Sequence, residues 1–313
     1  MPWTFVLRRF IAVVPTFLLV SILIFTLVRL LPGDPAQLML GEAANPQNVA
    51  ELRTKLGLDQ PFPVQYAKWF GYALRLDFGQ SNTGVTVNRL LSQKLPITLE
   101  LTLVAIVIAV VFSFFAGILS SLYPNTWVDR TITVISITGI CLPTFFTGIL
   151  LIYGFSIRLR WLPSSGFIGL ADDPLANLRL MLLPGITLGF YSAAVLTRYL
   201  RTSMLEVFDQ DFIRTGRSKG VGRWSLTFKH VLRNAIIPVV TVLGLQIGLL
   251  IGGAIITEQV FSIPGIGNML VVAVFNRDLA TIQGIALVTA VSVFVVNFFV
   301  DVAYAFIDPR IRF

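Results

Sequence analysis

One histidine (His230) and one cysteine (Cys141) stand among 313 residues. A His/Cys metal site needs three or four ligands, so this pair cannot build one, and no disulfide can close within the chain. A thiol inside an apolar run is by default a small buried hydrophobe. Lys219-Gly220 runs in the reverse order to a phosphate-cradling Gly-x-x-x-x-Gly-Lys-Ser/Thr loop and lacks its spacing. Gly216-Arg-Ser-Lys-Gly220 has the Gly-x-Ser-x-Gly spacing but falls in a predicted helix and not on the strand-to-helix turn of a nucleophile elbow, and no His-Glu-x-x-His pair occurs. ATP binding through a P-loop, intramembrane proteolysis and metal-dependent hydrolysis lack their residues, and an enzyme is poorly supported. The strongest local signal is instead the basic stretch 198–234, with Met204-Leu-Glu-Val-Phe-Asp-Gln-Asp-Phe-Ile-Arg-Thr-Gly-Arg-Ser-Lys-Gly220 inside it. Asp209 and Asp211 suit the positive start of a short helix that the sequence predicts over 211–219, and Gly220 suits its stop. Such a helix is either a handle for a cytoplasmic motor or a solvated basic loop on lipid headgroups.

The elements that carry this stretch follow from composition. Hydrophobic residues make up 55% of the chain and charged ones 13%, about half the charge of a soluble domain, and mean hydropathy is +0.81. The apolar residues are bunched into six runs without Asp, Glu, Lys or Arg: 10–28, 101–128, 131–157, 180–197, 235–257 and 279–300. Each is long enough to cross a bilayer as a helix, which takes about 20 residues. Transmembrane β-strands alternate and are about 10 residues long, so a barrel is excluded. Arg8 and Arg9 precede the first run. It exceeds the roughly 7–15 residues of a signal-peptide core and no small-x-small cleavage site follows, so an uncleaved first span is expected.

Six spans place both ends on one side. With that side cytoplasmic, thirteen Lys and Arg lie inside (Arg8, Arg9, Arg130, eight over 198–234, Arg310 and Arg312) against Arg158, Arg160, Arg179 and Arg277 outside. The positive-inside rule therefore gives N-in, C-in. The net charge of +8 comes mostly from this asymmetry, and no basic–aromatic platform suggests nucleic acid.

The outer segment 32–96 reads as folded. Asn45-Pro46 and Gly57 bracket a helix over Pro46–Leu56, a second is expected over 63–76, and a third over 85–95 leads into span two. It is either a passive cap or a docking surface for an external partner. Within the spans, Pro143 and Pro184 are expected to kink or interrupt spans three and four, with Thr144 and Thr147 beside the first break. They line a cavity or merely bend packed helices. Gly244, Gly248 and Gly252 recur every fourth residue and predict close helix packing, with Gln246 a candidate for facing a pore. Glu100, Glu258 and Asp301 fall at span ends, where snorkelling to the interface is expected.

Several motifs resemble those of ABC-importer permeases of the peptide and nickel branch. They include Asp211-Phe-Ile-Arg-Thr-Gly-Arg-Ser-Lys-Gly220 with Lys229-His-Val-Leu-Arg-Asn-Ala-Ile-Ile-Pro238, and Leu31-Pro-Gly-Asp-Pro35. Others are Asp77-Phe-Gly-Gln-Ser81, Glu258-Gln-Val-Phe-Ser-Ile-Pro-Gly-Ile-Gly267, Asn276-Arg-Asp278 and Asp308-Pro-Arg-Ile-Arg312. The long segment between spans one and two is similar to the first permease subunit of such systems. The resemblance implies an all-α membrane protein of the type I importer fold in a bacterial inner membrane. Its divisions would be 1–31 (cytoplasmic start and first span), 32–96 (extracytoplasmic helices) and 97–313 (permease core). The implied partners are a second homologous permease, two cytoplasmic ATPase subunits or domains that hold the ATP and Mg²⁺, and an extracytoplasmic binding protein. This chain itself would carry no cofactor or catalytic residue. The implied cargo is short peptides, with nickel or metal chelates, glutathione and other small solutes as alternatives; a passive channel or scaffold is the reading from another class. In the wider importer family the inner loop reads Glu-Ala-Ala-x-x-x-Gly. Here Arg214-Thr215-Gly216 stands in place of Glu-Ala-Ala, and Gly220 matches the glycine. The resemblance assigns ATPase coupling to Asp211, Arg214, Thr215, Gly216, Arg217, Lys219 and Gly220. Gly216 in place of Ala weakens the short helix by up to about 1 kcal/mol.

Overall fold

The computed structural model describes residues 3–30, 34–41 and 44–307, with side chains except those of 3–10, 12, 35, 38–39, 56 and 301–307. The motif at 308–312 and most of that at 31–35 lie outside the described residues, as do Arg310 and Arg312. The side chains of Arg8, Arg9 and Asp301 also lie outside. The helices are α1 (Trp3–Arg29), α2 (Pro35–Leu40), α3 (Pro46–Leu56), α4 (Phe62–Leu74), α5 (Val87–Leu122), α6 (Trp127–Cys141) and α7 (Thr144–Leu151), the last extended by a π-helical turn, Ile152–Arg158. There follow α8 (Pro174–Phe208), α9 (Asp211–Ser218) and α10 (Arg223–Ser225), joined by a π-helical turn (Leu226–Val231) to α11 (Leu232–Phe261), then α12 (Ile266–Phe275) and α13 (Leu279–Ile307). Among the described residues there is no strand, only an isolated bridge between Gln80 and Thr86.

Four helical stretches are long and apolar enough to cross a membrane: Val87–Leu122, Pro174–Phe208, Arg223–Phe261 and Leu279–Val300. A fifth candidate is the pair Trp127–Cys141 and Thr144–Arg158, bent by 116°. The first expected span, 10–28, falls within α1.

Local chemistry accounts for most boundaries. Asn45 Oδ1 accepts from the Asn48 amide at 2.7 Å, and Gly57 closes α3 with φ +66°. The helix expected over 63–76 is α4, two residues shorter at its end, and that expected over 85–95 is the first part of α5. The two membrane prolines behave differently. Pro143 separates α6 from α7; at Pro184, where a kink or an interruption is expected, α8 is not interrupted. Leu183, Pro184 and Gly185 are all buried, and a Cβ on Gly185 would lie 2.6 Å from Val104 Cγ1. Packing holds the helix where its own hydrogen bonding is weakened. Snorkelling also fails for Glu258, which is wholly buried.

The chain divides into two compact units, one of Met1–Thr98 with Pro264–Val295 and the other of Leu99–Ile263 with Val296–Phe313. In the first, Phe25 of α1 is buried among Phe62, Tyr66 and Trp69 of α4, at ring separations of 5.2–5.7 Å. Val87 and Leu91 pack with Ile266 and Ile285. The Asp278 carboxylate gathers the Ser81 hydroxyl, the Asn82 amide, and the amide and hydroxyl of Thr281. It thereby joins the Asp77–Ser81 motif to the start of α13 across nearly two hundred residues of sequence.

In the second unit α8 is the hub, with neighbours α5, α6, α7 and α11. Its approach to α5 is set at Gly189, where a Cβ would lie 2.6 Å from the Ala105 carbonyl oxygen. Gly117 of α5 and Gly139 of α6 make similar room for Leu200 and Ala194. The obstacle at Gly189 is backbone, so Gly189→Ala is expected to cost about 1–3 kcal/mol through forced separation of the helices. Gly252→Ala, whose Cβ meets nothing within 4 Å, is expected to be neutral. Thermal unfolding of the two variants in one detergent checks the contrast, and equal stability would refute it.

Candidate functional site

The basic stretch folds into a seated helix. Ile213, wholly buried, is the plug: it joins Ile118 of α5, Leu200 and Met204 of α8, Leu226 and Val231 of the π-helical turn, and Ala235 of α11 in one apolar cluster. Helical periodicity then turns the neighbours of Ile213 outward. Asp211, Phe212, Arg214, Thr215, Arg217 and Ser218 are exposed, as are Lys219 and Gly220 beyond the helix. Arg214 lies 3.7 Å from Asp211, a solvated pair of little energetic weight. Gly220 closes the turn with φ +77° and open space where a Cβ would be. At Gly216 a Cβ would meet Leu226 Cδ1 at 2.9 Å, so Gly216 sacrifices helix propensity to let Leu226 close over Ile213.

Aromatic and basic side chains surround this helix. Trp224 and Phe228 stack at 6.0 Å with both rings exposed. Arg217 lies over Phe208, and Arg223 over Tyr123 with a 2.8 Å hydrogen bond to the Leu122 carbonyl. A cavity of about 600 Å³ opens beside α9, lined by Leu122, Phe208, Arg217, Arg223 and Leu226 among others.

The floor of the seat is fixed by a buried carboxylate. Asp129, in the first turn of α6, accepts from Arg201 Nε and Nη2 at 2.7 Å each, from the Ser120 hydroxyl, and from the Asn125 amide at 2.9 Å. A bidentate guanidinium fixes direction as well as distance. This one group therefore ties the end of α5, the start of α6 and the last two turns of α8, from which the chain passes through Asp209 and Gln210 into α9.

The residues singled out at membrane depth differ in their surroundings. Thr147 and Gly148 are buried, with Phe261, Val260 and Thr187 closing around Gly148, while Pro143 is exposed and Thr144 half-buried. Gln246 is buried and accepts from the Ser192 hydroxyl at 3.0 Å, within the α8–α11 contact. Gly244 is pressed by Val300, Gly248 is half-buried, and Gly252 faces open space; it is Gly253 that lies against Leu188. The sequence reading passes over Ile213, Phe212, Trp224, Phe228, Asp129 and Arg201. The first could have been found as the one position of 211–218 aimed at the bundle. Nothing in the sequence pairs Asp129 with Arg201, 72 positions away.

Comparison with known proteins bears on this arrangement. Residues 109–313 match the family described as binding-protein-dependent transport system inner membrane component, and residues 3–102 match the corresponding N-terminal family. A putative peptide transport system permease protein of Brucella abortus is 39% identical over 309 residues, 98% of each chain. The glutathione transport system permease protein GsiC of Salmonella paratyphi A is 42% identical over 311 residues, 99% of each chain. Among solved structures, inward-facing MetNI methionine ABC transporter aligns with TM-score 0.57 at 18% identity, over 70% of this chain and 96% of that one. An amino acid ABC transporter aligns with TM-score 0.52 at 15% identity, over 71% and 94%. At these identities the likeness is one of fold.

Removing the Asp129 carboxylate strands a guanidinium at the floor of the seat. Asp129→Ala is expected to cost about 3 kcal/mol, and a second change, Arg201→Leu, to return much of it. A double-mutant cycle on thermal unfolding in detergent reads this, and strict additivity would show that the pair does not couple.

Proposed function

The chain belongs to the family of binding-protein-dependent transport system inner membrane components, and from that premise we propose that it is the permease subunit of an ATP-driven importer of short peptides. In this reading it spans a bacterial inner membrane six times with both ends in the cytoplasm. The bent pair α6–α7 is one span, and residues 32–96 form the extracytoplasmic segment between 1–31 and the core 97–313. It pairs with a second, homologous permease to enclose the path, and Pro143, Thr144, Thr147 and Gln246 are candidates along it. Gly244 serves close helix packing within the chain, and Gly248 and Gly252 serve it against the second permease. Two cytoplasmic ATPase subunits hold the ATP and Mg²⁺, and an extracytoplasmic binding protein delivers cargo.

The observation that carries the reading is the seat of α9. A short helix with one residue sunk into the bundle and the rest exposed is shaped to be held by something outside the chain. Asp211, Arg214, Thr215, Gly216, Arg217, Lys219 and Gly220 are the proposed ATPase contacts, joined by Phe212, whose exposed ring is the apolar anchor. Closure of the ATPases on ATP moves α9. Because Ile213 sits in a cluster shared with α5, α8 and α11, the motion reaches those helices as a rigid-body rotation and opens the path outward; hydrolysis resets it. The two bundle states must differ in their contacts with the ATPases, or ATP would bias neither.

The two relatives named above are named for peptide and for glutathione transport, and glutathione is itself a tripeptide. Glutathione is therefore the second reading, and a metal chelate the third. A passive channel leaves the seat of α9 without a purpose.

Two outcomes are expected. A Cβ at Gly220 meets no atom within 4 Å and the left-handed backbone penalty is about 1–2 kcal/mol, so Gly220→Trp is expected to leave the protein in the membrane while abolishing uptake. Undiminished uptake would sink the coupling assignment. In liposomes holding the co-purified complex, binding protein and a di- to hexapeptide pool are expected to stimulate ATP hydrolysis with peptide accumulating inside the binding-protein-free compartment. Stimulation without peptide uptake would move the cargo to glutathione or chelates, and absence of any associated ATPase would overturn the importer.

A further inference from the structure

A helix that breaks inside a bilayer must find new partners for its backbone, and the pair α6–α7 does not find them within the chain. The Thr138 carbonyl accepts from the Leu142 amide, and the Pro143 carbonyl from the amides of Phe146 and Thr147. Pro143 has no N–H to offer the Gly139 carbonyl. Among the described residues nothing donates to the carbonyl oxygens of Gly139, Ile140, Cys141 or Leu142. Gly139 lies ten residues past Asp129, about 15 Å along α6 and near the middle of the uncharged run 131–157. Four bare carbonyls against acyl chains would each cost several kcal/mol, so such a break is tolerated only in protein or beside water.

A cavity of about 370 Å³ stands at this break, lined by Ile140 and by Val195, Arg198, Tyr199 and Thr202 of α8. Positions 195, 198, 199 and 202 share one helix face, which Tyr191 extends by a further turn. Tyr191 and Tyr199 are 41% and 50% exposed, and Arg198 and Thr202 are exposed beside them. Arg198 directly follows the uncharged run 180–197, and among the described residues no carboxylate lies within 4 Å of it. Tyrosine and arginine at the end of a span also suit a headgroup belt. A bare helix end does not, and Ile140 puts that end in the same cavity, so this face of α8 meets water.

The two polar ends of the cavity are spaced for a short peptide. Gly139 abuts α8 at Ala194, to whose Cβ a Cβ on Gly139 would stand 3.0 Å. From Ala194 to Arg198 the helix rises about 6 Å, the length of about two extended peptide residues. The C-terminal carbonyls of a helix attract cations and N–H donors, and a guanidinium takes a carboxylate through two parallel bonds. We propose that this cavity is a cargo site in this chain's half of the path. Arg198 holds the peptide's C-terminal carboxylate, and the bare carbonyls of 139–142 receive its N–H groups and ammonium. The inference rests on two points of the proposed function, that α6–α7 is one span and that the cargo is a short peptide.

Cys141, the single cysteine of the chain, is exposed next to Ile140 and reports on the break. In liposomes holding the co-purified complex, a quaternary-ammonium methanethiosulfonate is expected to label it, read from the mass of this chain. A saturating di- to hexapeptide pool is expected to slow the labelling about tenfold, and the same pool amidated at its C-termini to leave it unchanged. Arg198→Gln breaks no contact recorded within the chain. It is expected to raise the peptide concentration for half-protection at least about tenfold, the loss of a charge-assisted bond, and Arg198→Lys to recover part of it. Absence of labelling would put the break out of reach of water and overturn the proposal. Equal protection by amidated peptides, or unaltered protection in Arg198→Gln, would overturn the carboxylate contact. Labelling that peptide does not slow, in a complex that accumulates peptide, would overturn this site and leave the cargo assignment standing. The same result in a complex that accumulates none would overturn the cargo assignment and the site with it.

Discussion

Close approach of α8 to its neighbours is the constraint on which the core depends. An α-helix in lipid gains nothing from hydrophobic expulsion against another apolar helix, so packing must supply the attraction, and packing improves as backbones approach. Glycines at 117, 139, 185 and 189 remove the side chains that would hold helices apart, and larger partners from the facing helices fill the space. The same tightness keeps α8 continuous through Pro184. With α8 fixed along its length, its far end is a rigid base from which α9 can project.

That base gives the exposed helix its meaning. A surface helix of eight residues is marginal by itself. Here it is held by one buried isoleucine and by the π-helical turn before α11, so whatever grips its outer face grips the cluster of Ile118, Leu200 and Ala235 too. The Asp129–Arg201 pair fixes the floor beneath it. Four donors converge on one carboxylate, which makes the arrangement costly to break and directional while it stands. Force applied to α9 is therefore carried by packed side chains and one ionic clamp.

The first unit solves a different problem, that of joining distant segments around α1 and the start of α5. It uses an aromatic stack for the α1–α4 contact and the Asp278 carboxylate for the loop at Ser81. Asp278 also caps α13, so the group that starts one helix anchors the loop that precedes another.

By itself the sequence determined whatever depends on local pattern. The uncharged runs marked the long apolar helices, because desolvating charge in a bilayer is costly over every turn. Asn45, Gly57, Asp211 and Gly220 marked helix ends, because capping is decided within four residues. The stretch 211–220 marked a short helix, because its acidic start and its glycine stop lie close together in sequence. Only the tertiary structure decided the rest. Whether a membrane proline breaks its helix depends on its neighbours: Pro143 does and Pro184 does not. Which group a polar residue meets inside the bundle depends on a partner far away in sequence: Gln246 accepts from Ser192, 54 positions away. Burial of Glu258, the pairing of Asp129 with Arg201 and the plug at Ile213 are likewise contacts between segments remote in sequence, and such contacts leave no mark on the periodicity of either one.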